Sequence, residues 1–214
     1  MSPEAKTLVC FALKEEAGAF EKARAKKSGS AILITGLGRK NAERSLRKSL
    51  AGLPPAFVLT CGFAGGLDPE LEIGDVVFST ADAVIAQKLA AAGATPAKFF
   101  CAARIATTAA EKSELRRTTG ADAVEMESEV IQAVCRERGI PCATVRVISD
   151  AAWEDLPLDF NTLAKADLNL HYGKLALAIA KSPGKIPALL RLQKNSRFAA
   201  GRLAEVLAKV IWPR

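Results

Sequence analysis

The sequence predicts an α/β fold, a single domain with a central mixed β-sheet flanked by helices on both faces in three αβα layers. Three observations predict it. Short apolar runs alternate with helix-patterned segments along most of the chain. Glycines follow several of these runs directly, as they do where strands turn sharply into helices. At 214 residues and 50% hydrophobic content, residues 1–214 can bury one substantial core and read as one domain.

Thr7–Leu13 is a short apolar run suited to a buried strand, followed by a polar helix through Lys14–Lys27. Ala31–Thr35 is a second strand, and Gly36-Leu-Gly-Arg-Lys-Asn41 turns tightly into a helix over Ala42–Leu50. Pro54-Pro55 breaks that helix before the strand Ala56–Thr60. The glycine-rich Gly62-Phe-Ala-Gly-Gly66 reads as a loop, and Gly74-Asp75 opens a strand over Val76–Thr80. Ala86–Ala92 is a helical connector and Lys98–Ile105 a strand. Thr108–Thr118 is a helix, Ala121–Met126 a strand, and Glu129–Arg138 a helix closed by Gly139-Ile-Pro141. Cys142–Ser149 is a central strand, Asp150–Asn161 a loop, and the rest is helical with a break near Ser182-Pro-Gly184.

Composition narrows the classes of function. The start of the chain lacks the cleavage site of a signal peptide, and no apolar run is long enough for a transmembrane helix, so a cytoplasmic protein is expected. Cys10, Cys61, Cys101, Cys135 and Cys142 are odd in number and form no CxxC pair, which fits reduced, mostly buried thiols. His171 is the only histidine and reads as a helix-surface residue; with it alone, a metal site or a Ser-His-Asp mechanism is disfavoured. The net charge of +7 is concentrated at the C-terminus. From His171 onward nine basic residues face Glu205 alone, a local +8 that leaves the preceding body near −1. A basic helical extension from about residue 182 is expected, and no nucleic-acid partner. In that extension Leu203, Val206, Leu207, Val210 and Ile211 recur at helical spacing and read as a terminal helix packed on the core or on a partner subunit.

Chemistry concentrates in Glu125-Met-Glu127, where a strand runs into a helix, and in Ser149-Asp150, which ends an apolar strand. The ends of neighbouring strands are where α/β proteins hold small ligands. Each motif has a simpler reading: acidic residues favour helix N-termini, Asp favours turns, and Glu15-Glu16 suits a solvated first helical turn. Gly36-Leu-Gly38 lacks the third glycine of a dinucleotide site and reads as a tight turn. Glycines after a strand, as at Gly62–Gly66, also let backbone N–H groups approach a ligand closely.

Taken in order, these segments resemble the nucleoside phosphorylase/nucleosidase family. Ala12-Leu-Lys-Glu-Glu16, Thr35-Gly-Leu-Gly38, Cys61-Gly-Phe-Ala-Gly-Gly-Leu67, Ile73-Gly-Asp-Val-Val77, Val124-Glu-Met-Glu127 and Arg146-Val-Ile-Ser-Asp150 carry the resemblance, across roughly residues 7–180. Ser182–Ser196 and Ala109-Ala-Glu-Lys112 are similar to the hopanoid-associated phosphorylases of that family, a similarity that implies adenosylhopane as a substrate.

The resemblance implies cleavage of the N-glycosidic bond of a purine nucleoside, by phosphorolysis or hydrolysis. Glu127 would accept hydrogen bonds from the ribose hydroxyls, with Met126 against the sugar and Glu125 beside them. Asp150 would carry a proton and donate it to purine N7, oriented by Ser149. Glu16 would activate water, and Gly62, Phe63, Ala64 and Gly65 would line the anomeric side. Arg39 and Gly38 are candidate phosphate ligands.

No cofactor is implied beyond inorganic phosphate as a co-substrate, and a homo-oligomer is expected. An adenosylated lipid substrate would bring the basic tail to an anionic membrane. Lys14 and Phe63 depart from the family pattern, and the segment between Thr80 and Phe99 is short. Trp153 stands where the family often has a polar residue. A nucleoside-binding protein without turnover, or a futalosine or methylthioadenosine hydrolase, therefore stays as an alternative.

Overall fold

The computed structural model describes residues 7–24, 29–52, 54–163 and 183–212. His171 and the helix expected around it lie outside these residues. Alternation of side chains along each strand decides how the layers form. In β1 (Thr7–Phe11), Leu8 and Cys10 enter one apolar cluster while Val9 and Phe11 enter another on the opposite face. Strand β3 (Phe57–Gly66) repeats the pattern, with Val58 on the first face and Leu59 and Cys61 on the second.

Helices cover both faces. On the first lie α2 (Arg39–Ser49) and α5 (Ser128–Glu137), burying Leu46, Ile131 and Val134. On the second, α1 (Lys14–Arg24) buries Ala17 and Phe20, and α3 (Ala83–Ala91) buries Leu89. The same cluster takes Leu203, Val206 and Leu207 from α7 (Ile186–Ile211). Phe20 stacks on Trp212 with ring centroids 5.3 Å apart, pinning the end of the chain to α1. The second half of α7 thus packs on the core through one face and leaves Arg202, Glu205 and Lys209 exposed on the others, while most of its first half is exposed.

The sheet has eight strands and is mixed, as expected. β2 (Ser30–Ile34), β1, β3 and β8 (Cys142–Asp150) run parallel in that spatial order. Then β4 (Val76–Thr80) pairs antiparallel with β8, and β5 (Thr95–Pro96) continues beside β4. On the other side of the far end of β3 lies β7 (Ala123–Glu125), antiparallel to it and flanked by β6 (Phe99–Cys101). The capping hydroxyl of Thr108 accepts the N–H of Glu111 at 3.1 Å and starts α4 (Ala109–Thr119), which covers β6 and β7. A short helix, α6 (Phe160–Leu163), follows the loop after β8.

Two expectations change. Gly62–Gly66 is not a loop but the outer half of β3, which runs past β1 and pairs with β8 on one side and β7 on the other. The strand expected over Lys98–Ile105 shrinks to Phe99–Cys101. The Glu-Met-Glu and Ser-Asp segments are accordingly not on adjacent strands. They meet across β3, where Gly65 is registered against both Val124 and Asp150.

Gly62 has φ +148°, and a Cβ there would lie 2.6 Å from Glu16 Oε1 and 2.7 Å from Arg146 Nη1. Both atoms belong to buried side chains already engaged, so neither can retreat cheaply. Gly62→Ala is expected to lower folding stability by about 2–4 kcal/mol, through overlap and backbone strain together. Parallel denaturant melts of the variant and wild type check this.

Candidate functional site

One cavity of roughly 160 Å³ opens where the ends of β3, β7 and β8 meet the start of α1. Its lining includes Glu16, Phe63, Ala64, Gly65, Glu125, Met126, Glu127, Ser149 and Asp150. Nine positions singled out from sequence are therefore brought to one place. Gly62 lies just behind, against Glu16.

The organising group is Arg146, near the middle of β8. Its side chain is 1% exposed, and an arginine is buried this deeply only when paired. Nη2 lies 2.5 Å from Glu125 Oε2 and 3.5 Å from Glu127 Oε2, while Nη1 donates to the Cys61 carbonyl at 3.0 Å. Sequence reading passed over it. An arginine inside an otherwise apolar strand was the available signal, because a buried charge demands a partner.

Glu125 is more than local structure. It accepts the backbone N–H groups of Glu127 and Ser128 and the Ser128 hydroxyl, at 3.0, 2.8 and 2.7 Å. Burial pushes its carboxyl up, but Arg146 and these three donors bring it below the ordinary value. Glu125 is thus fixed as the counter-ion of Arg146. Glu127 differs: burial outweighs the attraction of Arg146, the charge of Glu125 adds to the rise, and its carboxyl is pushed up to about 7. Its Oε1 accepts the Gly38 N–H at 2.7 Å, which the positive φ of Gly38, +79°, aims inward from the start of α2.

Glu16, expected as solvated or as an activating carboxylate, is buried. It accepts the Phe63 and Leu13 N–H groups, both at 2.8 Å. Burial raises its carboxyl above the ordinary value against the pull of Arg146. Lys14, in the same turn, is exposed and outside the cavity lining. Gly38 and Arg39, candidates for phosphate, are also outside the lining: the Gly38 N–H is taken by Glu127, and Arg39 pairs with the exposed Glu129 at 2.7 Å.

At the other end of the cavity, Asp150 accepts the Ser149 hydroxyl on Oδ1 at 2.7 Å. On Oδ2 it meets Lys112 Nζ at 2.5 Å. This contact gives the Asp150 carboxyl a nitrogen partner from outside the cavity lining. Lys112 and the rim residues Arg104 and Ile105 escaped sequence reading as site residues. Lys112 sits in the polar pattern Ala109-Ala-Glu-Lys-Ser-Glu-Leu-Arg-Arg117, and nothing local marks it as buried. Asn161 grips the Ile105 backbone through both its N–H and carbonyl, at 2.9 and 3.0 Å, and so fixes this rim.

The arrangement can hold a molecule between two dissimilar ends. One offers carboxylates able to accept hydrogen bonds from hydroxyls, and the other an aspartate backed by cation and hydroxyl donors. Fold and site thus define an αβα protein with an acid-lined cavity at the strand ends. A profile of the phosphorylase superfamily matches residues 97–172. The 5'-methylthioadenosine/S-adenosylhomocysteine nucleosidase of Actinobacillus succinogenes is 30% identical over 183 residues, 68% of this chain and 80% of that protein. Its counterpart in a Marinomonas species is 29% identical over 173 residues, 63% and 73% of the two chains. The structure of futalosine hydrolase from Helicobacter pylori superposes with a TM-score of 0.70 at 15% identity, covering 96% of this chain and 98% of that one. The chain belongs to the nucleoside phosphorylase/nucleosidase family.

Glu127 makes stability depend on pH. Its folded value near 7 lies above the ordinary carboxylate value, so the stability it contributes is full in acid and lost as pH rises through about 7. Glu127→Gln keeps the acceptor for Gly38 and removes that loss. The variant is expected to match wild type in thermal melts near pH 4.5 and to exceed it at pH 8, by on the order of 3 kcal/mol.

Proposed function

We propose that this protein cleaves the N-glycosidic bond of an adenosine-type purine nucleoside by hydrolysis, releasing the free base. The observation that carries the proposal is the convergence of Glu16, Glu127 with Met126, and Ser149-Asp150 on one cavity. The sugar would lie at the glutamate end, its hydroxyls donating to Glu127 and its ring against Met126. The base would lie toward Asp150, which passes a proton to N7 as the C1′–N9 bond breaks. The bonding electrons then leave on a neutral purine, and the sugar develops oxocarbenium character. Glu16 faces the same end from α1, and a carboxylate raised by burial is a stronger base toward water.

Hydrolysis is favoured over phosphorolysis by the charges present. Glu16, Glu125, Glu127 and Asp150 line the cavity, against Arg104 as its basic lining residue. Arg146 behind the wall is already engaged by Glu125 and backbone carbonyl oxygen. A phosphate dianion entering there meets carboxyl groups, and Arg104 is already paired with Glu111. The names of the relatives, nucleosidases and a hydrolase, support the same choice.

Incubation with adenosine, 5'-methylthioadenosine, S-adenosylhomocysteine, inosine, futalosine and a lipid-linked adenosine, each with and without phosphate, tests this reading by free-base release. Release independent of phosphate is expected, and strict phosphate dependence overturns hydrolysis. Asp150→Asn is expected to retain nucleoside binding and to lower base release by about 100-fold or more. Wild-type turnover in that variant overturns the acid role.

We also propose that the exposed half of α7 contacts anionic membrane. Ile186, Leu190 and Phe198 are exposed there, among the exposed Lys185, Arg191, Lys194 and Arg197 with no acidic residue in between. Basic charge around an exposed apolar stripe suits a surface of acidic lipids. Truncation is no test, because it strips Leu203, Val206 and Leu207 from the core. Instead, Ile186→Asp/Leu190→Asp is expected to abolish co-sedimentation with phosphatidylserine vesicles while leaving nucleoside cleavage intact. Equal sedimentation of wild type with neutral phosphatidylcholine vesicles overturns the idea.

A further inference from the structure

Lys112 is the best-buried cation in the neighbourhood of the cavity and has no part in the reading above. Its side chain is 0% exposed, and its three ammonium protons have three acceptors. Two are backbone carbonyls, Ala151 at 2.7 Å and Glu154 at 3.0 Å, and the third is Asp150 Oδ2 at 2.5 Å. Full burial costs an ammonium its hydration, and the opposing carboxylate offsets that cost only while the pair stays charged. A proton shared across such a pair needs little rearrangement to move, because both end states leave no isolated charge.

The surroundings keep this proton in place. Glu154, in the loop after β8, gives its carbonyl to Lys112 and its carboxylate to the Ala151 N–H at 3.2 Å. On the same helix as Lys112, Glu111 is paired with Arg104, and Arg116 with Asp68 and Asp122 at 2.7 and 3.0 Å. These charges are therefore committed elsewhere, and Lys112 faces Asp150 as its private partner. Asp150 in turn lines the cavity, whereas Lys112 does not.

We propose that Lys112 and Asp150 work as one acid, in which Lys112 positions the aspartate and supplies the proton that Asp150 delivers to the leaving purine. In this step an N–H bond of the ammonium breaks and an O–H bond forms on Asp150. That bond breaks in turn as N7–H forms, while the C1′–N9 electron pair goes to the departing base. Lys112 is left as an amine beside the Asp150 carboxylate, and water reprotonates the pair after release. Ser149 holds Oδ1 throughout, so the transfer runs through Oδ2. Lys112 never touches substrate and is a positioning residue, not a catalytic one. The inference rests on the N-glycosidic reading of the cavity.

The test compares two leaving groups. A purine nucleoside that wild type hydrolyses needs its proton, whereas para-nitrophenyl riboside departs as a stable anion and needs none. Lys112→Met is expected to lower kcat for the purine nucleoside by about 100-fold with KM little changed, and to lower the purine-to-nitrophenyl rate ratio with it. Lys112→Arg restores a cation beside Asp150, but guanidinium does not release its proton, so the purine rate is not recovered. A parallel fall for both substrates in Lys112→Met, or full recovery in Lys112→Arg, overturns the proposal. Should neither variant fold, wild type decides: purine kcat must fall in alkali where nitrophenyl kcat stays level, and parallel pH profiles overturn the idea. Wild type inactive on every purine nucleoside and on the nitrophenyl riboside instead removes the underlying N-glycosidic reading.

Discussion

The rest of the structure depends on the pairing of Arg146 with the glutamates around it. A guanidinium with 1% exposure is tolerable only because Glu125 neutralises it and the Cys61 carbonyl accepts a further N–H. Breaking a buried ion pair by removing one partner typically costs about 3–5 kcal/mol, since the other charge stays behind uncompensated. The same arginine reaches Glu127 and lowers Glu16, so one side chain on β8 ties α1, β3 and β7 to a common centre. This is why Gly62 admits no side chain: the approach of Glu16 and Arg146 leaves no volume for one.

Charge is distributed unevenly around that centre. Glu125 is held ionised by Arg146 and three donors, while Glu16 and Glu127 are pushed toward their neutral forms by burial. Chemically similar residues two positions apart thus acquire different characters, one a fixed counter-ion and the other a group that titrates near neutrality. At the far end a second buried pair, Lys112 with Asp150, repeats the motif of cation behind carboxylate. Each cation stands outside the cavity lining and presents a carboxylate to it. The cavity is therefore acidic at its surface and basic in the layer behind, a pattern suited to polarising a neutral ligand and unsuited to attracting an anion.

Much of this was legible in the chain itself. Short apolar runs and the helix patterns between them located most of the elements within a few residues, because burial on both faces of a sheet leaves a continuous apolar imprint. Glu127, Ser149 and Asp150 stood out because they sit at the ends of apolar segments, whereas Glu16 was marked only by the family resemblance. Gly62–Gly66 misled: a glycine run ordinarily breaks a strand, yet here two neighbouring strands supply the ladder partners that keep it extended. The basic C-terminal stretch was legible despite its charge, because Leu203, Val206 and Leu207 recur at helical spacing and do pack on the core.

The sequence by itself determined the αβα architecture, the order of its strands and helices, and the carboxylates offered at the strand ends. Those are consequences of short-range periodicity and of residues conspicuous against their neighbours. Only the tertiary structure decided how the glutamates divide their charge and which cation backs Asp150, since that depends on Arg146 and Lys112 arriving from elsewhere in the chain. Lys112 is 38 positions before Asp150, on a helix with no local sign of burial. Burial and pairing are properties of the packed molecule, and they turn four acidic residues into a counter-ion, a titrating acceptor, a raised carboxylate and an aspartate paired with a buried lysine.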